Sequence, residues 1–234
     1  MKYPIGIQDF EDLQRNGYAY VDKTNFVYKL ADEGKYYFLS RPRRFGKSLF
    51  LSTLEAYFQG KKELFKGLAI YDLETEWKKY PIFHIDLNTA NFREKDSLYT
   101  VLNDYLTTWE SKYGARESEA KLALRFKGVI ARAAEEEGCG VVILIDEYDK
   151  PILQTLRDPE LQAEHRAQLK AFYSVLKTQD RYIKFAFLTG VTKFGKVSVF
   201  SDLNNLTDIS MDHRYISICG MTEKELLTNF KEGI

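Results

Sequence analysis

Three short stretches carry residue types that could do chemistry together. Gly46-Lys47-Ser48 closes the polar turn Arg41-Pro42-Arg43-Arg44-Phe45, which lies between the apolar run Tyr36–Leu39 and a segment with helical spacing. Strand, loop, Gly-Lys-Ser and helix in that order form the grammar of a loop that cradles phosphates. Amides without acceptors at a helix N-terminus converge on an anion there, and the helix dipole adds partial positive charge. Gly46 permits close backbone approach. Lys47 is the residue to reach the β- and γ-phosphates, and the Ser48 hydroxyl the one to ligate Mg²⁺. The candidate binding set is Pro42, Arg43, Arg44, Phe45, Gly46, Lys47, Ser48 and Leu49.

The second stretch is Asp146-Glu147, directly after the apolar run Val141–Ile145. A carboxylate at a strand tip beside a phosphate loop holds Mg²⁺, directly or through water, as in a Walker B motif. The adjacent glutamate can orient or deprotonate an attacking water. The third is Thr189, at the end of Ile183–Leu188, which could sense a γ-phosphate or bond local backbone instead. Lys193 and Arg214 are further candidates for phosphate contact or simple solvated cations. Asp149, followed by Lys150-Pro151, reads as a helix N-cap. His84, His165 and His213 share no short motif and read as structural or surface residues.

The phosphate-loop pattern G-x-x-x-x-G-K-[ST] places its first glycine at position 41, which is arginine here. Pro42 biases the residue before it towards extended geometry, so Arg41 can continue the strand without a positive φ. Pro42 also removes one amide from the loop; Arg43 and Arg44 add side-chain donors.

The elements that would position these residues alternate along the chain. Expected strands are Tyr18–Val21 (short), Tyr36–Leu39, Pro81–Leu87, Val141–Ile145, Ile183–Leu188 and Tyr215–Ile218. The expected helices are Phe10–Gly17, Asn25–Ala31 with Asp22 or Thr24 as cap, Lys47–Gln59, a short one within 61–72, Glu94–Lys112, Ser118–Glu137, Leu161–Thr178 and Glu223–Phe230. Glu135-Glu136-Glu137 reads as a solvated helix end with Gly138 as its stop, and Thr222–Glu225 as a capping box. Residues 191–213 read as loop with a short helix. The unbroken β-branched run Val141–Ile145 suits a parallel strand covered on both faces. Alternating strands and helices imply βαβ units, a mostly parallel sheet and right-handed crossovers. Ligands then lie beyond the carboxyl ends of the strands, where the phosphate loop, Asp146-Glu147 and Thr189 all fall.

Bulk properties exclude several classes. The 234 residues carry 34 basic and 34 acidic side chains, and 44% are hydrophobic. Such a chain can bury a core without staples, and its neutral total gives no bulk attraction to nucleic acid or anionic membrane. Two cysteines, Cys139 and Cys219, form no metal or disulfide framework. No run reaches the roughly 18 apolar residues of a membrane span, and the N-terminus lacks a signal-peptide pattern, so a cytoplasmic location is the default.

The chain resembles the predicted AAA-ATPase-like family, P-loop ATPases of the additional-strand (ASCE) type related to the STAND and archaeal ATPase groups. The matching segments are Pro4–Phe10, Tyr20–Thr24, Tyr36–Ser48, Val142–Pro151, Leu188–Phe194, Phe200–Ser210 and Tyr215–Leu226. The family's own loop looks like Arg-Pro-Arg-Arg-Phe-Gly-Lys-Ser, so an arginine at position 41 suits it. The resemblance implies an α/β fold, a P-loop NTPase three-layer α/β/α sandwich with a five-stranded sheet of order 5-1-4-3-2, and ATP with Mg²⁺ as ligands. It also implies a C-terminal PD-(D/E)XK nuclease-like region in longer relatives; no such motif is found here, so nucleic acid is expected as an indirect partner only. A homo-oligomer is compatible with such a module.

The expected organisation is a segment 1–35 packing on the nucleotide site, by capping and packing or by folding over the base, followed by an ATPase core over 36–234 truncated before its lid. In the expected mechanism Lys47 and the loop amides hold phosphates, and Ser48 and Asp146 hold Mg²⁺. Glu147 activates water, Thr189 senses the γ-phosphate, and Arg43 or Arg44 neutralises transition-state charge. The alternative is a nucleotide-binding regulator that does not hydrolyse its ligand.

Overall fold

Val141–Asp146 is buried along its whole length, which requires cover on both faces, and the rest of the chain supplies it. The computed structural model describes residues 2–193, 199, 200, 203 and 205–230. Its strands are β1 (Tyr36–Ser40), β2 (Ile82–Asp86), β3 (Val141–Asp146), β4 (Ile183–Gly190) and β5 (Thr207–Asp208). They form one parallel sheet of order β2-β3-β4-β1-β5, the 5-1-4-3-2 order read from the other edge. The helices are α1 (Phe10–Arg15), α2 (Thr24–Glu33), α3 (Lys47–Phe58), α4 (Ile70–Leu73), α5 (Ser97–Tyr113), α6 (Leu122–Glu137), α7 (Lys150–Gln154), α8 (Pro159–Thr178) and α9 (Glu223–Asn229).

The period-two alternation of a strand divides the core in two. Phe38, Phe83, Ile85, Val141, Ile143, Ile145 and Leu188 face one layer, built with Leu102 and Leu106 of α5, Phe126 of α6 and Phe172 of α8. Tyr37, Leu39, Val142, Leu144, Phe185 and Phe187 face the other, built with Phe10 of α1, Val27 of α2, and Leu51 and Leu54 of α3. The result is an α/β/α sandwich. Residues 10–30 contribute to the same core layer as the sheet and α3.

Several boundaries differ from the sequence expectations. The strand expected at Tyr215–Ile218 is a 3₁₀ turn, His213–Tyr215, continued by the Ile218 N–H donating to the Tyr215 carbonyl at 3.1 Å. Tyr215 and Ile218 are buried, while Ile216 is 74% exposed. Two anchors three residues apart follow a helical turn rather than strand alternation. The fifth strand is instead Thr207–Asp208, paired with Tyr37 and Phe38 of β1. At Tyr18–Val21 only Tyr18 pairs, in an isolated bridge with Lys2. Helix α5 starts at Ser97 rather than Glu94, because Asp96 at φ 60° is incompatible with a helical turn. α6 starts at Leu122 rather than Ser118. The cap of α2 is indirect: Asp22 accepts from the Thr24 amide and hydroxyl at 2.8 and 2.7 Å, and Thr24 Oγ1 accepts from Ile70. The short helix expected within 191–213 falls partly outside the described residues.

Candidate phosphate-binding site

The carboxyl ends of β1, β3 and β4 meet at one edge of the sandwich, and three of the chemical stretches arrive there together. Ser40 of β1 pairs with Gly190 of β4, and Ile145 of β3 with Leu188. The Arg41 N–H donates to the Gly190 carbonyl at 3.1 Å, so the strand ladder runs one residue past β1. Arg41 has no positive φ, so an arginine is accommodated where the general pattern has glycine. The loop then turns through Arg44 (φ 66°) and Gly46 (φ 83°) into α3. Gly46 is required for its backbone angle alone, since a Cβ built there meets nothing within 4 Å. That open space lies at the mouth of the α3 N-terminus.

Lys47 is 3% exposed. Its Nζ contacts Glu147 Oε1 at 2.8 Å and donates to the Arg41 and Pro42 carbonyls at 3.1 and 3.4 Å. One residue on, Ser48 Oγ donates to Asp146 Oδ2 at 2.5 Å. The other oxygen of Asp146 accepts from the Thr189 hydroxyl, which in turn accepts from the Glu147 amide at 3.4 Å. Lys47, Ser48, Asp146, Glu147 and Thr189 therefore form one hydrogen-bonded set. Glu147 carries a positive φ of 53°; a non-glycine residue in that region stores strain, as reactive positions often do. Burial pushes the Glu147 carboxyl up, Lys47 pulls it down and Asp146 pushes it up; the balance leaves it above the ordinary glutamate value.

The remaining candidates lie around this set. Pro42, Arg43, Arg44 and Phe45 are exposed along the loop, and Leu49 is half-buried. Thr189 is fully buried and engaged with Asp146, an arrangement in which it orients a carboxylate. Lys193 is paired with Asp208 at 3.2 Å and Arg214 with Asp212 at 2.7 Å. His84 bonds Glu55, His165 bonds the Phe92 carbonyl, and His213 is exposed.

Asp149 corrects an expectation. It holds the N-cap position of α7 but makes no side-chain cap bond. Its carboxylate accepts from the Val191 amide at 3.2 Å and from the Thr192 amide and hydroxyl, both at 2.8 Å. A carboxylate 1% exposed must find such donors, and the tip of β4 supplies more of them than the α7 terminus. Gly190 allows the close approach: a Cβ there would sit 2.4 Å from the Tyr148 ring.

Beside the loop lies a largely apolar cavity of about 390 Å³, lined among others by Ile7, Tyr20, Phe45, Leu49, Cys219 and Gly220. It is roofed by the N-terminal segment and residues 218–221. Burial pushes the Cys219 thiol up to about 12. A lone cysteine far along the chain carried no signal for this placement.

The donors suit a hard divalent cation. Ser48 and Asp146 present one hydroxyl and one carboxylate oxygen in contact, and Mg²⁺ takes few protein ligands, with waters and phosphates completing its octahedron. Among the described residues no group of three or more His, Cys, Asp or Glu side chains could hold a metal, so such an ion would need ligand oxygens from elsewhere.

The sheet order and the converging loop define a P-loop type of α/β fold. The chain matches the family described as Predicted AAA-ATPase over residues 4–200 and belongs to it. It is also 45% identical over 226 residues to the "Uncharacterized protein in vnfD 5'region" of Azotobacter chroococcum mcd 1. That match covers 96% of this chain and 44% of the relative, so the chain spans less than half of the relative's length. No solved structure matches. The family supports nucleotide binding at a P-loop-like site. Among the described residues no helix is long and apolar enough to cross a membrane.

Proposed function

We propose that this chain binds Mg-ATP at the β1–α3 loop, hydrolyses it, and changes conformation with nucleotide state. The observation carrying this reading is the convergence of Lys47, Ser48, Asp146 and Glu147, from two distant stretches, at the N-terminus of α3. The α3 amides and Lys47 hold the β- and γ-phosphates. Ser48 and Asp146 would hold Mg²⁺, which would supply neutralisation of phosphate charge. Thr189 keeps the Asp146 carboxylate oriented. Glu147, with its raised proton affinity, accepts the proton of an attacking water once the phosphates draw Lys47 away from it. Arg44 and Phe45 of the loop also line the cavity, and the cavity's apolar lining suits the flat face of a nucleobase.

The Lys47–Glu147 pair also favours a second reading, a regulator that binds ATP without turnover, because at rest the candidate base is neutralised. The coupled partner is proposed to be a C-terminal nuclease-like region, as the family resemblance implies; the relative is more than twice as long as the stretch it shares.

The test is thermal unfolding with and without Mg-ATP. At a hundred times Kd, binding adds about 2.7 kcal/mol. The wild-type chain is expected to show that shift and Lys47→Ala to lose it; an equal shift in Lys47→Ala removes the assignment. Phosphate release measured on the same samples separates hydrolysis from binding alone.

A further inference from the structure

Arg41 stands where the general phosphate-loop pattern has glycine, and its side chain is put to use. The guanidinium Nη1 donates to the Ser40 carbonyl at 3.0 Å and to the Ser210 carbonyl at 2.6 Å, and Nη2 reaches the Tyr215 carbonyl at 3.5 Å. Its own carbonyl accepts from Lys47 Nζ at 3.1 Å. One residue thus holds the phosphate-binding lysine by its backbone and the strap after β5 by its side chain. The strap, residues 209–221, is tied to the phosphate-loop strand and loop at three more points, the first being the Ile209 amide donating to the Phe38 carbonyl at 3.0 Å. Ser210 Oγ accepts from the Ser40 amide at 2.9 Å, and the Gly220 amide donates to the Phe45 carbonyl at 2.9 Å. Its far end, Ile218–Met221, forms a wall of the cavity beside the loop.

We propose that Arg41 is a positioning residue that couples the phosphate site to this strap, so that filling the site tightens the cavity wall. The inference rests on the nucleotide-binding reading and adds the route by which occupancy is passed on. A phosphate draws Lys47 Nζ off the Arg41 carbonyl, and that peptide then settles against the loop. Its guanidinium, a planar fork bonding carbonyls on two elements, carries the adjustment to Ser210 and Tyr215. Glycine at this place has no side chain to do so.

Cys219 is the built-in reporter: it lies in the strap, is 8% exposed, and remains the sole thiol once Cys139 is replaced by serine. The probe is magnesium tripolyphosphate, which fills the phosphate loop but leaves the cavity empty, so any effect on Cys219 travels through the protein. In the Cys139→Ser chain, saturating tripolyphosphate is expected to slow alkylation of Cys219 by N-ethylmaleimide about tenfold, since ligand binding to the closed form suppresses opening by mass action. In Arg41→Gly, tripolyphosphate is expected to bind within about threefold of its normal affinity while Cys219 alkylation no longer responds. ATP turnover is then expected to lose kcat with KM little changed. Arg41→Lys, which keeps the charge but cannot span both carbonyls, is expected to fall between the two, and it serves as the test if the glycine variant does not fold.

Equal protection of Cys219 in wild type and in the folded Arg41 variant overturns the coupling, as does tripolyphosphate that binds wild type without slowing alkylation. Failure of wild type to bind either ATP or tripolyphosphate is a different result: it removes the nucleotide site itself and the coupling with it.

Discussion

Lys47 is a cation almost without solvent, held by one carboxylate and two carbonyls. Its presence in so dry a place makes the neighbouring glutamate informative. Glu147→Gln removes the charge that balances Lys47 and leaves a buried ammonium with carbonyl partners only. The variant is expected to lose about 1–3 kcal/mol in the absence of ligand, measured by urea unfolding. Added Mg-ATP is expected to restore stability, because the phosphates replace the missing charge, while phosphate release falls to background. Turnover equal to wild type would show that Glu147 is not the base. As a candidate set, Gly46, Lys47, Ser48, Asp146 and Glu147 were legible in the chain, because the phosphate-loop reading asks for each by type and spacing. The role of Asp149 was not: the donors it finds lie about 40 residues away, on a strand tip whose position depends on the sheet.

Elements set the register in which these side chains meet. β2 and β3 align Asp86 with Asp146, and β2 carries His84 two residues earlier. His84 Nδ1 lies 2.7 Å from Glu55 of α3, so this pair links the helix that starts at the phosphate loop to the edge strand. Burial pushes His84 down, but the Glu55 bond and charge, with Asp146 and Asp86 behind, leave its proton affinity above the ordinary 6.5. A histidine whose folded value is raised stabilises the fold fully below its unfolded value, and that contribution is lost as pH rises through the folded value. Wild type is therefore expected to lose stability from about pH 6.5 upward relative to His84→Gln; chemical unfolding across pH 5.5 to 8.5 measures the difference, and parallel curves would sink the idea. The long helices and the β-branched strands were readable from periodicity. The strand at 215–218 was misread because Tyr-Ile-Ser-Ile has strand-like composition, and only its neighbours decide that Tyr215 and Ile218 point inward together.

At the scale of the whole molecule, the two ends of the described chain meet over the cavity. Lys23 Nζ and Glu225 Oε1 lie 2.5 Å apart, and Tyr3 stacks on Phe230 with centroids 5.7 Å apart. Glu225 also completes the capping box with Thr222 at the start of α9. One side chain thus starts a helix and fastens it to the N-terminal segment. Glu225→Ala is expected to cost about 1–2 kcal/mol locally. Hydrogen exchange is the measurement: amides of 222–229 should lose protection while those of β1, β3 and β4 keep it. If the strand amides lose protection equally, α9 is part of the cooperative core and not a separately released element.

The sequence by itself determined the α/β class and the parallel sheet, and it singled out the lysine, serine and carboxylates proposed for the site. These follow from local rules: strand and helix periods, the backbone freedom of Gly46, and the preference of charge for strand and helix ends. The tertiary structure alone decided which carboxylate meets Lys47, that Thr189 serves Asp146, that Asp149 fastens β4, and that Arg41 clasps the strap after β5. Those pairings join residues 42 to 174 positions apart, and contacts at that separation depend on how the whole chain packs, which no local pattern encodes.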